Sequence, residues 1–269
     1  MGIIFDFILN ISNNASNMIQ TPKIPRYIIK RLIWQRLLGM SWQVTHGSVI
    51  AVSSPSDQCL PGRIDMAGRS VLLQTCCAPC LTGSRIPFEE EENLEIKALW
   101  YNPNIHPWTE YDRRLQTLQR YVYLEPLDVV YLDRYDLFPF ICGMMDTVRD
   151  GNMEEKSFMS AEERRRRCAY CYASRLKMTA MEASKRNCSH FSTTMLLSRH
   201  QDHETIRRIG SEIGDEMGVD FLYKDLRKFW KDSIRISREY RLYRQPYCGC
   251  IFSEHERFMG QDGSPDRSG

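Results

Sequence analysis

An α/β fold with a mainly parallel sheet is the class this sequence predicts, and three observations predict it. Short apolar runs at residues 71–73, 96–101, 127–132 and 191–196 read as strands, each bounded by turn-forming or polar residues. Stretches of helical character separate most of them, the alternation that builds a parallel sheet covered by helices. The first run leads straight into Cys76, Cys77 and Cys80, so three cysteines within five positions fall at a strand's carboxyl end. Crevices at such strand ends are where open α/β sheets hold ligands.

A chain of 269 residues with 42% hydrophobic content can bury one sizeable core, which predicts one catalytic domain with appendages. The formal net charge of +2 leaves overall composition silent about nucleic acid, so any such reading must come from local charge. No run reaches the roughly 18 apolar residues of a membrane span. The apolar segment at 2–11 is short, is broken by Asp6 and lacks a cleavage pattern. A soluble, cytoplasmic protein with no membrane partner is expected. Ten cysteines, grouped mainly as CC, CxxC and CxC, favour metal or redox chemistry in a reducing compartment over a disulfide scaffold.

Residues 1–68 read as an N-terminal extension, partly disordered, with an Asn/Ser-rich patch at 10–17, a basic stretch at 26–36 and a Ser/Pro/Gly-rich segment at 53–62. A short amphipathic helix is expected at 27–38. The domain boundary is expected near residue 68, the catalytic domain over 69–253, and a polar, disordered tail over 254–269. The first crossover, 81–93, carries Gly83, Pro87 and four successive glutamates from Glu89. So little apolar face predicts a short or irregular connection. Asn102, Pro103 and Asn104 end the second strand, and Pro107 opens a helix running to about Tyr121. Ser160 followed by Glu163 is a capping-box pattern that opens a long helix, and a further helix is expected over 202–217.

Cys168 and Cys171 are three apart on the long helix, so both thiols lie on one face about a turn from each other. The preceding Arg164, Arg165, Arg166 and Arg167 would favour thiolate there. The plainer reading of the same run is a solvated face at a helix start. Four thiolates drawn from CC and CxxC match the ligand count of a [4Fe-4S] cluster and equally that of a four-cysteine zinc site. Cys248 and Cys250 flank Gly249, whose permissive backbone lets the two thiols turn toward one point. A disulfide across so small a ring is strained, which suits redox exchange better than stapling. Cys59, Cys142 and Cys188 lie outside these groups and read as structural. Over 224–244, Lys and Arg alternate with Phe229, Trp230, Tyr240 and Tyr243. This is either a surface for phosphates and unstacked bases or an amphipathic helix with its rings in the core.

Taken in order, LLQTCCAPC, WYNPNIHPWTEYDRR, RCAYCYASRLKMTA, FSTTMLLSRHQ and SREYRLYRQPYCGCIFS resemble the epoxyqueuosine reductases of the cobalamin-independent QueH type over roughly residues 70–253. The resemblance implies a Rossmann-like fold related to the adenine-nucleotide α-hydrolases. It implies reductive removal of the epoxide oxygen of epoxyqueuosine at the tRNA wobble position, giving queuosine. It further implies that Cys76, Cys77, Cys168 and Cys171 ligate a [4Fe-4S] cluster and that Cys248 and Cys250 form a redox-active pair. Cys80 stands where some relatives carry Asp, which makes it a candidate ligand of a second iron beside the cluster. The implied partners are tRNA carrying epoxyqueuosine in its anticodon loop, recognised by stacking and phosphate contacts, and an electron donor that the sequence does not identify. His106, Tyr111, His200 and Tyr243 are candidate proton donors or base contacts, each with an ordinary structural role as the alternative. Three departures, Gln74 in place of the usual His, Pro246 before the CxC and the polar first crossover, leave every proposed metal ligand in place. The rival readings are a zinc-stabilised RNA-binding module without catalysis and a PP-loop tRNA thiolase. The second would need a Gly/Ser-rich phosphate loop where this chain has cysteines.

Overall fold

The computed structural model describes residues 43–45, 48–50, 69–148 and 159–259. The helix expected at 27–38 and Cys59 lie outside them. The chain divides into two units, Met1–Arg63 and Ile64–Gly269. Within the first, β1 (Gln43–Thr45) and β2 (Ser48–Ile50) pair antiparallel, with Val44 opposite Val49.

The second unit is built on a five-stranded parallel sheet: β3 (Arg69–Gln74), β4 (Leu94–Trp100), β5 (Asp128–Tyr131), β6 (His190–Thr193) and β7 (Asp220–Phe221), in spatial order β5-β4-β3-β6-β7. Strand β3 is central and covered on both faces. That is why Val71, Leu72 and Leu73 form a continuous apolar run instead of alternating, and all three are fully buried. Truncating Leu72 to alanine should cost about 2–5 kcal/mol through lost burial and a residual cavity. From β3 the chain winds outward to β4 and β5, then returns to β6 and β7 on the other side. The winding therefore reverses between β3 and β6, the place where open α/β sheets form a ligand crevice beyond the strands' carboxyl ends.

The first crossover is more regular than its polarity suggested. It holds α1 (Ala78–Ser84) and α2 (Ile86–Glu89). Pro79 sits in the first turn of α1, where its missing N–H leaves no intrahelical bond unmade. A Cβ at Gly83 would lie 2.8 Å from Ser233 Cβ and 2.9 Å from the Phe229 carbonyl oxygen, so this glycine permits close packing against α7 (Trp230–Glu239). Two of the four glutamates there have partners: Glu89 pairs with Arg85, and Glu91 with Lys224. The helix after Pro107 is α3 (Trp108–Leu124), followed past β5 by α4 (Leu137–Val148). The long helix α5 (Ala161–Lys185) has the expected capping box. Ser160 Oγ accepts from the Glu163 N–H and the Glu163 carboxylate accepts from the Ser160 N–H.

Strand β6 stops at Thr193, short of the expected 196. Thr193 Oγ1 accepts from the Met195 N–H at 3.1 Å and turns the chain into a 3-10 helix, Thr194–Leu197. Helix α6 (His203–Met217) ends at Gly218, whose φ of 65° closes the cap at no steric cost. The stretch 254–258, read as tail, belongs to α8 (Ile251–Phe258). Its polarity is that of a helix anchored at the surface: Arg167 of α5 donates to Glu256 at 2.8 Å and lies over the Phe252 ring at 5.5 Å. Among the described residues, no helix is long and apolar enough to cross a membrane.

Candidate metal centre

The turn after β3 places Cys76 beside the start of β6's 3-10 turn. Its N–H donates to Thr194 Oγ1 at 3.1 Å, and that hydroxyl lies 3.4 Å from Cys76 Sγ as a donor. Cys77 caps α1, its sulfur accepting from the Cys80 N–H at 3.4 Å. These constraints gather the sulfurs of Cys76, Cys77 and Cys80 within 4.8 Å of one another at the reversal point of the sheet. Gln245 Nε2 donates to Cys77 Sγ at 3.0 Å from the segment after α7.

As free thiols the three hold protons unequally. Contacts with Cys77 and then Cys80, aided by Arg175 and the Thr194 hydroxyl, hold Cys76 well below the ordinary thiol range. Burial, then the Cys76 contact, pushes Cys77 up to about 12. Contacts with Cys76 and Cys77, then burial, push Cys80 well up. A metal would have to displace these protons, because the thiolate is the ligand form.

Two buried cations face this sulfur set. Arg175, 4% exposed, donates to Gln74 Oε1 at 3.0 Å and Asn102 Oδ1 at 3.2 Å, and its charge favours the thiolates of both Cys76 and Cys171. Arg114, 1% exposed, donates from Nε to Glu110 at 2.6 Å, and its charge favours the Cys77 thiolate. Gln74 itself is fully buried, donates to the Tyr101 carbonyl and Asn102 Oδ1, and accepts from Thr193 Oγ1. It thus holds Arg175 beneath the cysteines. A soft-metal donor set backed by buried positive charge fits a thiolate-bound iron-sulfur group or zinc, since both need a concentration of negative sulfur that the two guanidiniums offset.

Cys168 and Cys171 are half-buried on α5, with Arg175 one turn beyond Cys171. They share an electrostatic environment with Cys248, and Cys171 also interacts with Cys250. Among the described residues, no fourth cysteine joins the close group of Cys76, Cys77 and Cys80. Of the arginine run, Arg167 does favour the Cys168 thiolate, but burial outweighs it. Burial raises Cys168 despite Arg167 and pushes Cys171 up to about 11. Arg164 and Arg167 pair with Glu256, and Arg165 with Glu162.

Cys248 is exposed, its sulfur 3.0 Å from Ser253 Oγ, whereas Cys250 is buried and pushed up to about 12 by that burial. Both are free thiols. The loop that carries them is pinned at several points. Arg114 donates to the carbonyls of Cys248 and Tyr247 at 3.0 and 3.2 Å, and the His106 N–H donates to the Gly249 carbonyl at 2.8 Å. The Tyr247 hydroxyl in turn donates to the His106 carbonyl at 2.7 Å. Gly249 has φ of 119°, a conformation side chains rarely adopt.

The other candidates divide. Tyr111 is buried between Trp100 Nε1 and Asp133, and the Tyr243 hydroxyl donates to Glu110, so both brace the scaffold. His200 is exposed. His106 is buried at 1% exposure, and neither ring nitrogen has a partner within hydrogen-bond geometry among the described residues. Over 224–244, α7 is amphipathic: Ser233 and Ser237 are buried, Phe229, Trp230 and Tyr240 pack against the core, and Lys231, Arg235, Arg238, Arg241 and Arg244 are exposed. Cys188 is buried, and Cys142 is exposed on α4. Arg114, Arg175, Thr194 and Gln245 were not singled out by the sequence, although Cys168, Cys171 and Arg175 share one helical face at spacings of three and four.

Comparison with known proteins covers this same region. The family model described as Epoxyqueuosine reductase QueH matches residues 71–256. A protein of Dehalococcoides mccartyi named Epoxyqueuosine reductase QueH is 33% identical over 195 residues, 72% of this chain and 97% of its own length. Its namesake in Thermotoga maritima is 34% identical over 190 residues, 70% of this chain and 92% of its own. A Staphylococcus epidermidis protein of the same name is 28% identical over 190 residues, covering 68% and 75%.

Proposed function

The chain belongs to the epoxyqueuosine reductase QueH family, and from that premise we propose that it reductively deoxygenates epoxyqueuosine to queuosine at the wobble position of tRNA. The observation that carries this reading is the trio Cys76, Cys77 and Cys80 at the sheet's reversal point, backed by buried Arg114 and Arg175. We assign the catalytic domain to 69–258, through the end of α8.

In this proposal Cys76, Cys77, Cys168 and Cys171 hold a [4Fe-4S] cluster, and Cys80 is a ligand of a second, adjacent iron. Such a centre, when bound, supplies electrons singly and a Lewis acid for the epoxide oxygen. The reaction breaks both carbon–oxygen bonds of the epoxide, consumes two electrons and two protons, and leaves an alkene and water. Oxidation of the Cys248 and Cys250 thiols to a disulfide releases two electrons and two protons, which balances that demand. An exposed sulfur beside a buried one suits this role: Cys248 can exchange with an external donor while Cys250 stays shielded. Arg114 and the His106 backbone keep that pair in place beside the Cys168 and Cys171 face. A reducing compartment such as the cytoplasm keeps these thiols available.

Metal content and visible absorption of protein purified without oxygen test the reading. About four or five irons per chain, with a brown colour that bleaches on reduction, are expected. Stoichiometric zinc and no visible absorption, persisting after anaerobic reconstitution with iron and sulfide, would instead favour a zinc-stabilised RNA-binding module.

A further inference from the structure

Of the rings in the basic stretch over 224–244, Phe229, Trp230 and Tyr240 pack against the core and Tyr243 is covered by Arg113 at 4.9 Å, which leaves little free stacking surface for RNA bases. A different aromatic does. Trp108, the first residue of α3, is 51% exposed while its ring is held on two sides. It stacks on Tyr111 with centroids 5.6 Å apart and meets Tyr135 edge-on at 5.3 Å. A half-exposed indole fixed by neighbours loses little rotational freedom when a flat ligand stacks on it. The platform also adjoins the cysteine site: Tyr135 contacts the His106 ring at 6.0 Å, and the His106 N–H is bonded to Gly249 between Cys248 and Cys250.

Positive charge flanks the opposite side of the same helix start. Arg113 lies over the Tyr243 ring at 4.9 Å, next in sequence to Arg244 and close to Arg241. Arg113, Arg241 and Arg244 are exposed, and none has an ion-pair partner among the described residues. By contrast, Arg227 and Arg235 are paired with acids, and so is Arg134 near Tyr135, with Asp136. An exposed ring and cations without acidic partners, flanking the two sides of one helix start, are a combination that can hold single-stranded nucleic acid: charge on the phosphates, a ring on an unpaired base.

We propose that the amino end of α3 is the RNA-docking surface, with Trp108 stacking an unpaired loop base and Arg113, Arg241 and Arg244 holding the adjoining phosphates. This rests on the reductase reading, which supplies an RNA loop as substrate. The surface would place that loop across the rim from which Cys248 is accessible.

The test is binding of a fluorescently labelled anticodon stem-loop RNA to the intact holoprotein by anisotropy, over a range of salt. Trp108→Ala should weaken binding roughly 5- to 150-fold, and Trp108→Phe much less, because a ring remains. Arg113→Ala combined with Arg244→Ala should flatten the plot of log affinity against log salt by about 0.7 per arginine. Tyr123→Ala removes another exposed ring near the far end of α3 and should leave binding unchanged. Conversion of epoxyqueuosine in whole tRNA by the unsubstituted protein is measured alongside. If it converts tRNA while the Trp108 and arginine variants bind like wild type, the docking surface is wrong and the reductase reading stands. A Trp108→Ala protein that loses self-association but not RNA affinity also overturns the proposal, making the rim a contact between copies. A wild-type protein that neither binds nor converts removes both readings.

Discussion

Arg114 Nη1 donates to the carbonyl oxygen of Cys248 at 3.0 Å, so a fully buried guanidinium on α3 fixes the backbone of a loop more than a hundred residues away in sequence. Glu110 neutralises that charge from one turn earlier at 2.6 Å, and the Tyr243 hydroxyl donates to the other Glu110 oxygen at 2.7 Å. Replacing Arg114 by methionine strands Glu110 and frees two carbonyls, a loss of about 3–5 kcal/mol. Arg114→Lys keeps the charge but not the fork and should fall between. Thermal melts rank the variants, and alkylation of Cys250 should accelerate in both as the loop loosens. Alkylation at the wild-type rate in both would show that the loop does not depend on Arg114.

Gly249 gives a related expectation. A Cβ there would meet Ile105 Cγ1 at 2.9 Å and Arg114 Nη1 at 3.0 Å, with φ already at 119°. Gly249→Ala should cost about 1–3 kcal/mol from strain at that backbone position. An unchanged melting temperature would mean that the loop finds another conformation.

His106 makes stability depend on pH. Burial lowers its pKa to about 4 in the folded chain, from an unfolded value near 6.5. Between those values the unfolded state binds more protons, so stability falls as pH drops through that window and is fully present above it. His106→Phe removes the titration and keeps a ring among Tyr135 and Phe140. Melts from pH about 7.5 to about 4.5 should decline less steeply for the variant than for wild type. Parallel curves would exclude His106 as the source.

The cysteines should separate by metal content. Cys76→Ser, Cys77→Ser and Cys171→Ser should lower bound iron sharply, because serine is a poor ligand for a soft thiolate site. Cys142→Ser, exposed on α4, should leave it unchanged. Equal iron in all four would place the metal elsewhere.

How much of this was legible in the sequence differs by feature. The parallel sheet, the three grouped cysteines after β3 and the capping box of α5 were readable because each depends on residues close together in the chain. Helix α4 was not, since Pro139 and Gly143 interrupt its pattern. Gly143 lies directly against the Tyr170 ring, so a side chain there would have to displace that tyrosine. Strand β7 is only two residues long, too short for any alternation to appear. Helix α8 was hidden because its anchors, Arg167 and the α5 face, come from far upstream. The same holds for the site's surroundings. Arg114, Gln245 and Thr194 bond to the cysteine region through contacts between residues more than a hundred positions apart.

The central claim is a reduction of a tRNA base, and its most direct measurement is mass spectrometry of nucleosides from epoxyqueuosine-containing tRNA after incubation with anaerobically reconstituted protein and a chemical reductant. Queuosine should appear, sixteen mass units lighter by the loss of one oxygen. It should be absent with Cys76→Ser or Cys248→Ser protein. Unchanged epoxyqueuosine with iron-loaded wild-type protein under reducing conditions, or full conversion by the Cys76→Ser variant, would contradict the assignment of this site to that chemistry.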